Sequence, residues 1–115
     1  MVLAKGNKKP STREEFIDNI IREDKVVIVE GKKDVAKLKK LGITKIIQLS
    51  RKPLCSFAEE TAYSHNSVIL LMDNDKEGKK LFSKLKKEFN RLGVKVNGSY
   101  QKYFAKLRIS HVEGL

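Results

Sequence analysis

Residues 26–34, VVIVEGKKD, and residues 68–78, VILLMDNDKEG, decide how this chain folds. Each opens on a short, continuous apolar run, which is how a strand covered on both faces of a parallel sheet reads. Each run ends in acid, at Glu30 in the first and at Asp73 and Asp75 in the second, and each is followed within a few residues by a helical pattern. Acid-tipped buried strands that feed helices place their carboxylates at one edge of a sheet.

The flanking sequence fills in the remaining elements. Ser11 with Glu14 has capping-box spacing, and Phe16, Ile17, Ile20 and Ile21 recur at helical intervals, so a helix is expected to about Glu23, broken by Asp24 and Lys25. Val35, Ala36, Leu38 and Leu41 form an apolar stripe among lysines, closed by Gly42. Residues 45–49 read as a second strand, 50–54 as a loop around Pro53, and 56–63 as a weak helix. After the strand at 67–72, Leu81, Phe82, Leu85, Phe89 and Leu92 share one face of a long helix over 76–92, ended by Gly93. A fourth strand over 94–97 and a basic helix over 100–107 complete the pattern, before the tail RISHVEGL.

Strands alternating with helices imply an α/β fold: a three-layer sandwich with a mostly parallel four-stranded sheet and right-handed crossovers. With the strand order 2-1-3-4, the crevice lies at the carboxyl ends of the first and third strands, where the winding reverses. Glu30, Asp73 and Asp75 should meet there. Carboxylates packed together repel, so such a cluster holds a cation or shares a proton. Mg²⁺ suits it best, being a hard cation held by one or two carboxylates, waters and substrate phosphate. Taken singly, each acid also has an ordinary structural role: Asp75 as cap of the long helix, Asp34 at the positive end of its own, Glu30 as partner of Lys32.

The 115 residues are 40% hydrophobic, enough for one core and too few for a second domain. The net charge of +11 favours a polyanion, either nucleic acid or an anionic membrane surface. It is concentrated late: residues 76–115 hold eleven basic and three acidic side chains. The basic helices carry apolar faces suited to covering a sheet, which disfavours the membrane. The lone Cys55 excludes an internal disulfide, points to a reduced, cytoplasmic location, and reads as a small buried apolar side chain. Residues 1–10 contain no signal or spanning pattern and are expected to form a mobile basic tail. Phosphate loops, HExxH helices and nucleophile elbows are missing from the sequence, against nucleotide triphosphatase, zinc peptidase and hydrolase chemistry.

The pairing of hhhhEGxxD with a second strand ending in DxDxxG is similar to the Toprim domain of topoisomerases and bacterial primases. Glu30, Gly31 and Asp34 match the first motif, and Asp73, Asp75 and Gly78 the second, over a core of about 25–97 within a single domain spanning 11–115. The stretch DNDKEG resembles the corresponding type IA topoisomerase segment, with lysine in place of arginine. The resemblance implies a Rossmann-like Toprim sandwich with an added N-terminal helix and a basic C-terminal one. It further implies that Glu30 is a general acid or base, and that Asp73 and Asp75, with Glu30 beside them, take Mg²⁺, with Mn²⁺ as a substitute.

Lys32, Arg51 and Lys52 follow the first two strands on the same edge and are the candidate phosphate contacts. Gly31 and Gly78 would let backbone approach the crevice. The closing ISHVEGL resembles the end of small stand-alone archaeal Toprim proteins, and would either return His111 and Glu113 to the acidic edge or serve as a docking tail. Tyr63, Tyr100 and Tyr103 do not supply the covalent tyrosine of topoisomerases, which belongs to a domain this length cannot hold. Tyr100 and Tyr103 are left to stack on bases or to pack as core.

The expected function is Mg²⁺-dependent phosphodiester chemistry on nucleic acid, RNA or DNA, single-stranded or structured. The nearest analogy is the Toprim ribonuclease that matures 5S ribosomal RNA, which points to nuclease-type cleavage in RNA processing or DNA repair, with a possible protein partner in a larger complex. The competing expectation is a non-catalytic nucleic-acid or ribonucleoprotein scaffold that keeps a metal site.

Overall fold

The computed structural model describes residues 11–106 and 111–115. The basic segment 1–10, the expected helix end at Leu107, and Arg108 lie outside the described residues. Among the described residues five α-helices and four strands alternate: α1 Arg13–Glu23, β1 Val26–Val29, α2 Lys32–Lys40, β2 Ile46–Gln48, α3 Leu54–Ser64, β3 Ser67–Leu70, α4 Lys76–Arg91, β4 Lys95–Asn97 and α5 Ser99–Lys106, with a 3₁₀ turn at Val112–Gly114.

The sheet is parallel throughout, in the order β2-β1-β3-β4. Val27 pairs with Ile46 on one side and with Ile69 on the other, so β1 and β3 are the central strands. Their alternation splits the core in two. Val27, Val29, Ile69 and Leu71 face α1, α2, α5 and the 3₁₀ turn, while Val26, Ile28, Val68, Leu70 and Met72 face α3 and α4. These nine side chains are buried, as strands sandwiched between helix layers require.

Several local expectations are corrected. The cap of α1 is Thr12, which accepts the Glu15 N–H at 3.1 Å, while the Glu15 carboxylate takes the N–H and hydroxyl of Ser11, so the cap sits one residue later than the Ser11–Glu14 spacing suggests. Ile21 turns to solvent at 44% exposure. Ala36 is exposed outside the stripe that buries Leu38. α3 begins two residues early, at Leu54 directly after Pro53, because proline's fixed φ of −53° leads the chain into the first turn. Cys55, on that first turn, is exposed rather than buried. Asp24, at φ 57°, ends α1 in the left-handed conformation, and Gly42 and Gly93 close α2 and α4 at φ 93° and 77°.

The C-terminal elements are tied back by polar contacts. Glu23 of α1 accepts from Asn97 Nδ2 at 2.9 Å and from the Tyr100 hydroxyl at 2.8 Å. Tyr100 is 4% exposed and packs edge-on against Phe16, which stacks on Phe104, while Tyr103 lies against the same cluster. Tyr100 is therefore core packing, and Tyr103 packs against that core while staying partly exposed. Gln101 holds the end of β3: its Oε1 accepts the Met72 N–H at 3.0 Å and its Nε2 donates to the Met72 carbonyl at 2.6 Å. A buried strand end that has run out of neighbours thus has both backbone groups satisfied.

Candidate metal centre

The carboxylates are positioned by backbone. β3 delivers Asp73 just past Met72, and the chain then turns so that Asp75 becomes the N-cap of α4, its Oδ1 accepting the Gly78 N–H at 2.7 Å. Gly78 makes that turn possible: a Cβ at this position would stand 1.9 Å from the Asp73 carbonyl oxygen. Gly31 carries no such constraint, since a Cβ there would meet only Asp34 Oδ2 at 3.9 Å. The Asp34 carboxylate accepts the Gly31 N–H at 3.1 Å and so fixes the first turn of α2.

Residues 111–115 lie at this edge. Val112 donates its N–H to Asp73 Oδ1 at 2.8 Å, and His111 Nε2 lies 3.5 Å from Asp75 Oδ2. Asp73, Asp75 and His111 each offer a ligand atom within 4.8 Å of the others. Each aspartate therefore uses Oδ1 to fix backbone, which leaves its second oxygen for a cation. The cap at Asp75 occupies Oδ1 alone. In the described part of ISHVEGL, residues 111–115, the chain forms a docked turn and places His111 at the acidic edge. The resemblance of the tail was the signal in the sequence.

Glu30 borders the group. Burial first, then the negative charge of Asp73, with smaller effects of Asp34 and Asp75, hold its pKa above the ordinary 4.5, against the opposing effect of the nearby Asp73 backbone. Its Oε1 is buried with no hydrogen-bond partner among the described residues. Asp34 is likewise raised, by burial and then by Asp73 and Glu113, with the Gly31 N–H and His111 acting against the rise. No ion pair joins Glu30 to Lys32 among the described residues. A buried, unpartnered carboxylate oxygen beside two more carboxylates is a donor set suited to a hard divalent cation.

These raised values have a measurable consequence. A folded state that holds a carboxyl proton more tightly than the unfolded chain loses stability as pH rises from the unfolded pKa through the folded one. With EDTA present, the melting temperature of the wild type is expected to fall more between pH 4.5 and neutrality than that of Glu30→Gln, and saturating divalent cation should flatten the difference. Parallel curves for the two proteins in EDTA would show that Glu30 ionises without strain.

The candidate phosphate contacts are exposed at the same edge: Lys32 opens α2, and Arg51 and Lys52 follow β2. Lys52 is bound to Glu60 of α3, whereas no ion pair joins Lys32 or Arg51 to another described residue. On α4, Lys76, Lys79, Lys80, Lys84, Lys86 and Lys87 are all exposed. None of the described helices is long and apolar enough to cross a membrane.

A family model for the Toprim domain matches residues 24–98. The chain belongs to the Toprim family. Toprim domains are typically metal-dependent domains of nucleic-acid enzymes and usually bind Mg²⁺, and the four-stranded parallel sheet has the Toprim architecture. This Toprim chain is similar to small archaeal proteins: a UPF0292 protein of Pyrococcus abyssi is 37% identical over 106 residues, covering 89% of this chain and 80% of that one. A UPF0292 protein of Thermococcus sibiricus is 31% identical over 103 residues, with 89% and 81% covered. One from Methanocaldococcus jannaschii is 40% identical over 77 residues, with 65% and 60% covered. A solved structure of a protein from Aquifex aeolicus superposes with a TM-score of 0.84 at 29% identity, covering 92% of this chain and all of that one.

Proposed function

We propose that this Toprim protein cleaves phosphodiester bonds in nucleic acid, in RNA processing or DNA repair in the cytoplasm, using a divalent cation held by Asp73 and Asp75 with Glu30 at its side. The observation that carries this reading is the convergence of three carboxylates from two strand ends, with a buried Glu30 oxygen that no described protein group satisfies.

Asp73 and Asp75 would hold the ion, Mg²⁺ or Mn²⁺, through the oxygens not committed to Val112 and Gly78. The ion supplies neutralisation of the charge that develops on phosphate oxygens. Glu30, its pKa lifted by burial and neighbouring charge, is suited to moving a proton at the attacking or leaving oxygen. Lys32 and Arg51 would contact backbone phosphates, and the exposed lysines of α4 would extend that track. Lys52 joins them only by leaving Glu60.

The test uses labelled single-stranded and structured RNA and DNA, incubated with Mg²⁺ or Mn²⁺. Cutting by the wild type that stops in EDTA and in Asp73→Asn is the expected result. Binding without cutting in any metal would instead make the protein a nucleic-acid or ribonucleoprotein scaffold that keeps its ion. Binding itself should weaken with salt, with a log–log slope of about −0.9 per phosphate neutralised on duplex DNA and about −0.7 on single strands. A flat salt response would remove the basic surface from the reading.

A further inference from the structure

We propose that His111 is a third ligand of the ion, contributed by the C-terminal turn, and that it shifts the centre's preference from Mg²⁺ toward first-row cations that accept imidazole nitrogen, such as Mn²⁺ or Co²⁺. The inference rests on the metal reading above and deepens it.

His111 reaches the site from a docked segment. Val112 is fully buried and Leu115 is 8% exposed, both within the core cluster that contains Leu38 of α2 and Phe104 of α5. The turn is closed by Gly114 N–H to the His111 carbonyl at 2.9 Å and by Leu115 N–H to the Val112 carbonyl at 3.1 Å. The Val112 N–H bond to Asp73 then fixes the register of this turn against the aspartate itself. The imidazole of His111 is thereby held beside Asp75, at 3.5 Å.

The distances suit one ion. Ligand atoms about 2.1 Å from a shared cation lie up to about 4.2 Å apart when opposite one another. The three candidate atoms lie within 4.8 Å of each other, and because three ligands of one ion cannot all be opposite, neighbouring ones must close to about 3 Å, a contraction of up to roughly 2 Å that side-chain rotation supplies.

Ligand chemistry then sets the choice of metal. Mg²⁺ takes oxygen donors and gives up water reluctantly, whereas imidazole suits later divalent ions, with affinity rising from Mn²⁺ through Co²⁺. Two carboxylates alone would leave Mg²⁺ and Mn²⁺ close in preference, and the added nitrogen separates them. A second consequence follows from where His111 sits. An ion that binds only when the turn is docked stabilises the docked form by mass action, so loading and docking are linked.

The experiment is titration calorimetry of the full chain with Mn²⁺ and with Mg²⁺, on wild type, His111→Ala and Asp73→Asn, supplemented by the visible absorption of bound Co²⁺. His111→Ala is expected to lose about tenfold or more in Mn²⁺ affinity, to change Mg²⁺ affinity by less than about twofold, and to alter the Co²⁺ spectrum. Its side chain is 56% exposed, so the substitution is made at the surface, and far-ultraviolet circular dichroism of the variant should match the wild type. Unchanged Mn²⁺ affinity and Co²⁺ spectrum in His111→Ala, with uptake lost in Asp73→Asn, would overturn the role of His111 and leave the metal centre standing. No uptake of any divalent ion by the wild type would overturn both.

Discussion

Asp73→Asn should lower divalent-cation affinity by about a hundredfold or more, abolish metal-dependent cleavage, and yet leave the protein at least as stable as the wild type in EDTA. The two effects have opposite signs because they draw on the same charge. Asparagine keeps an oxygen that can accept the Val112 N–H, so the contact that docks the C-terminal turn survives. What disappears is one negative charge from a site where it raises the pKa of both Glu30 and Asp34. Without a cation that charge is a burden, and its removal relieves repulsion. With a cation it is half of the aspartate pair that holds the ion, and its removal costs more than the tenfold to hundredfold typical of losing a mere supporting group. Calorimetric titration with Mn²⁺, read beside thermal melts in EDTA, separates these outcomes. A variant that melts well below the wild type in EDTA would mean that the Asp73 carboxylate stabilises the metal-free fold instead of straining it.

Gly78→Ala is the second large effect, expected to destabilise by about 3 kcal/mol, at the upper end of the cost of forcing extra volume into packed structure. A new Cβ would lie 1.9 Å from the Asp73 carbonyl oxygen and 2.7 Å from its carbon. Those atoms are backbone and cannot rotate away as a side chain would. Either the first turn of α4 lifts, breaking the Gly78 N–H bond to Asp75 Oδ1, or the 73–75 turn moves and carries both aspartates with it. Metal affinity should therefore fall together with a melting temperature roughly 15 °C lower. Circular dichroism melts with and without Mn²⁺ measure both, and an unchanged midpoint would show that the turn has slack that its geometry does not reveal.

The parts of this molecule that were legible in the sequence are those where a local signal and the tertiary environment agree. The continuous runs at 26–29 and 68–72 read as strands buried from both sides, of which the structure keeps Val26–Val29 and Ser67–Leu70, and their acid ends followed from strand direction. Gly78 was recognisable from its motif, but the reason for it, the Asp73 carbonyl, depends on a turn no periodicity describes. Cys55 and Ile21 failed because burial of a helical residue depends on which face the neighbouring helix covers, and apolar character alone does not specify that. Gln101 left no signal at all: a glutamine in a basic helix reads as surface, and its role becomes visible only when a strand end is left without partners. His111 was ambiguous for a related reason, since the tail's path is fixed by Val112 and Leu115 entering a core assembled from residues far earlier in the chain.

The clamp between Gln101 and Met72 ties mechanics to chemistry. One amide side chain grips the peptide immediately before Asp73 from both directions, so α5 cannot slide or tilt without dragging that carboxylate along. A polyanion that pulls on Lys102, exposed on the next position of the same helix, would be felt at the Asp73 carboxylate through a linkage one residue long.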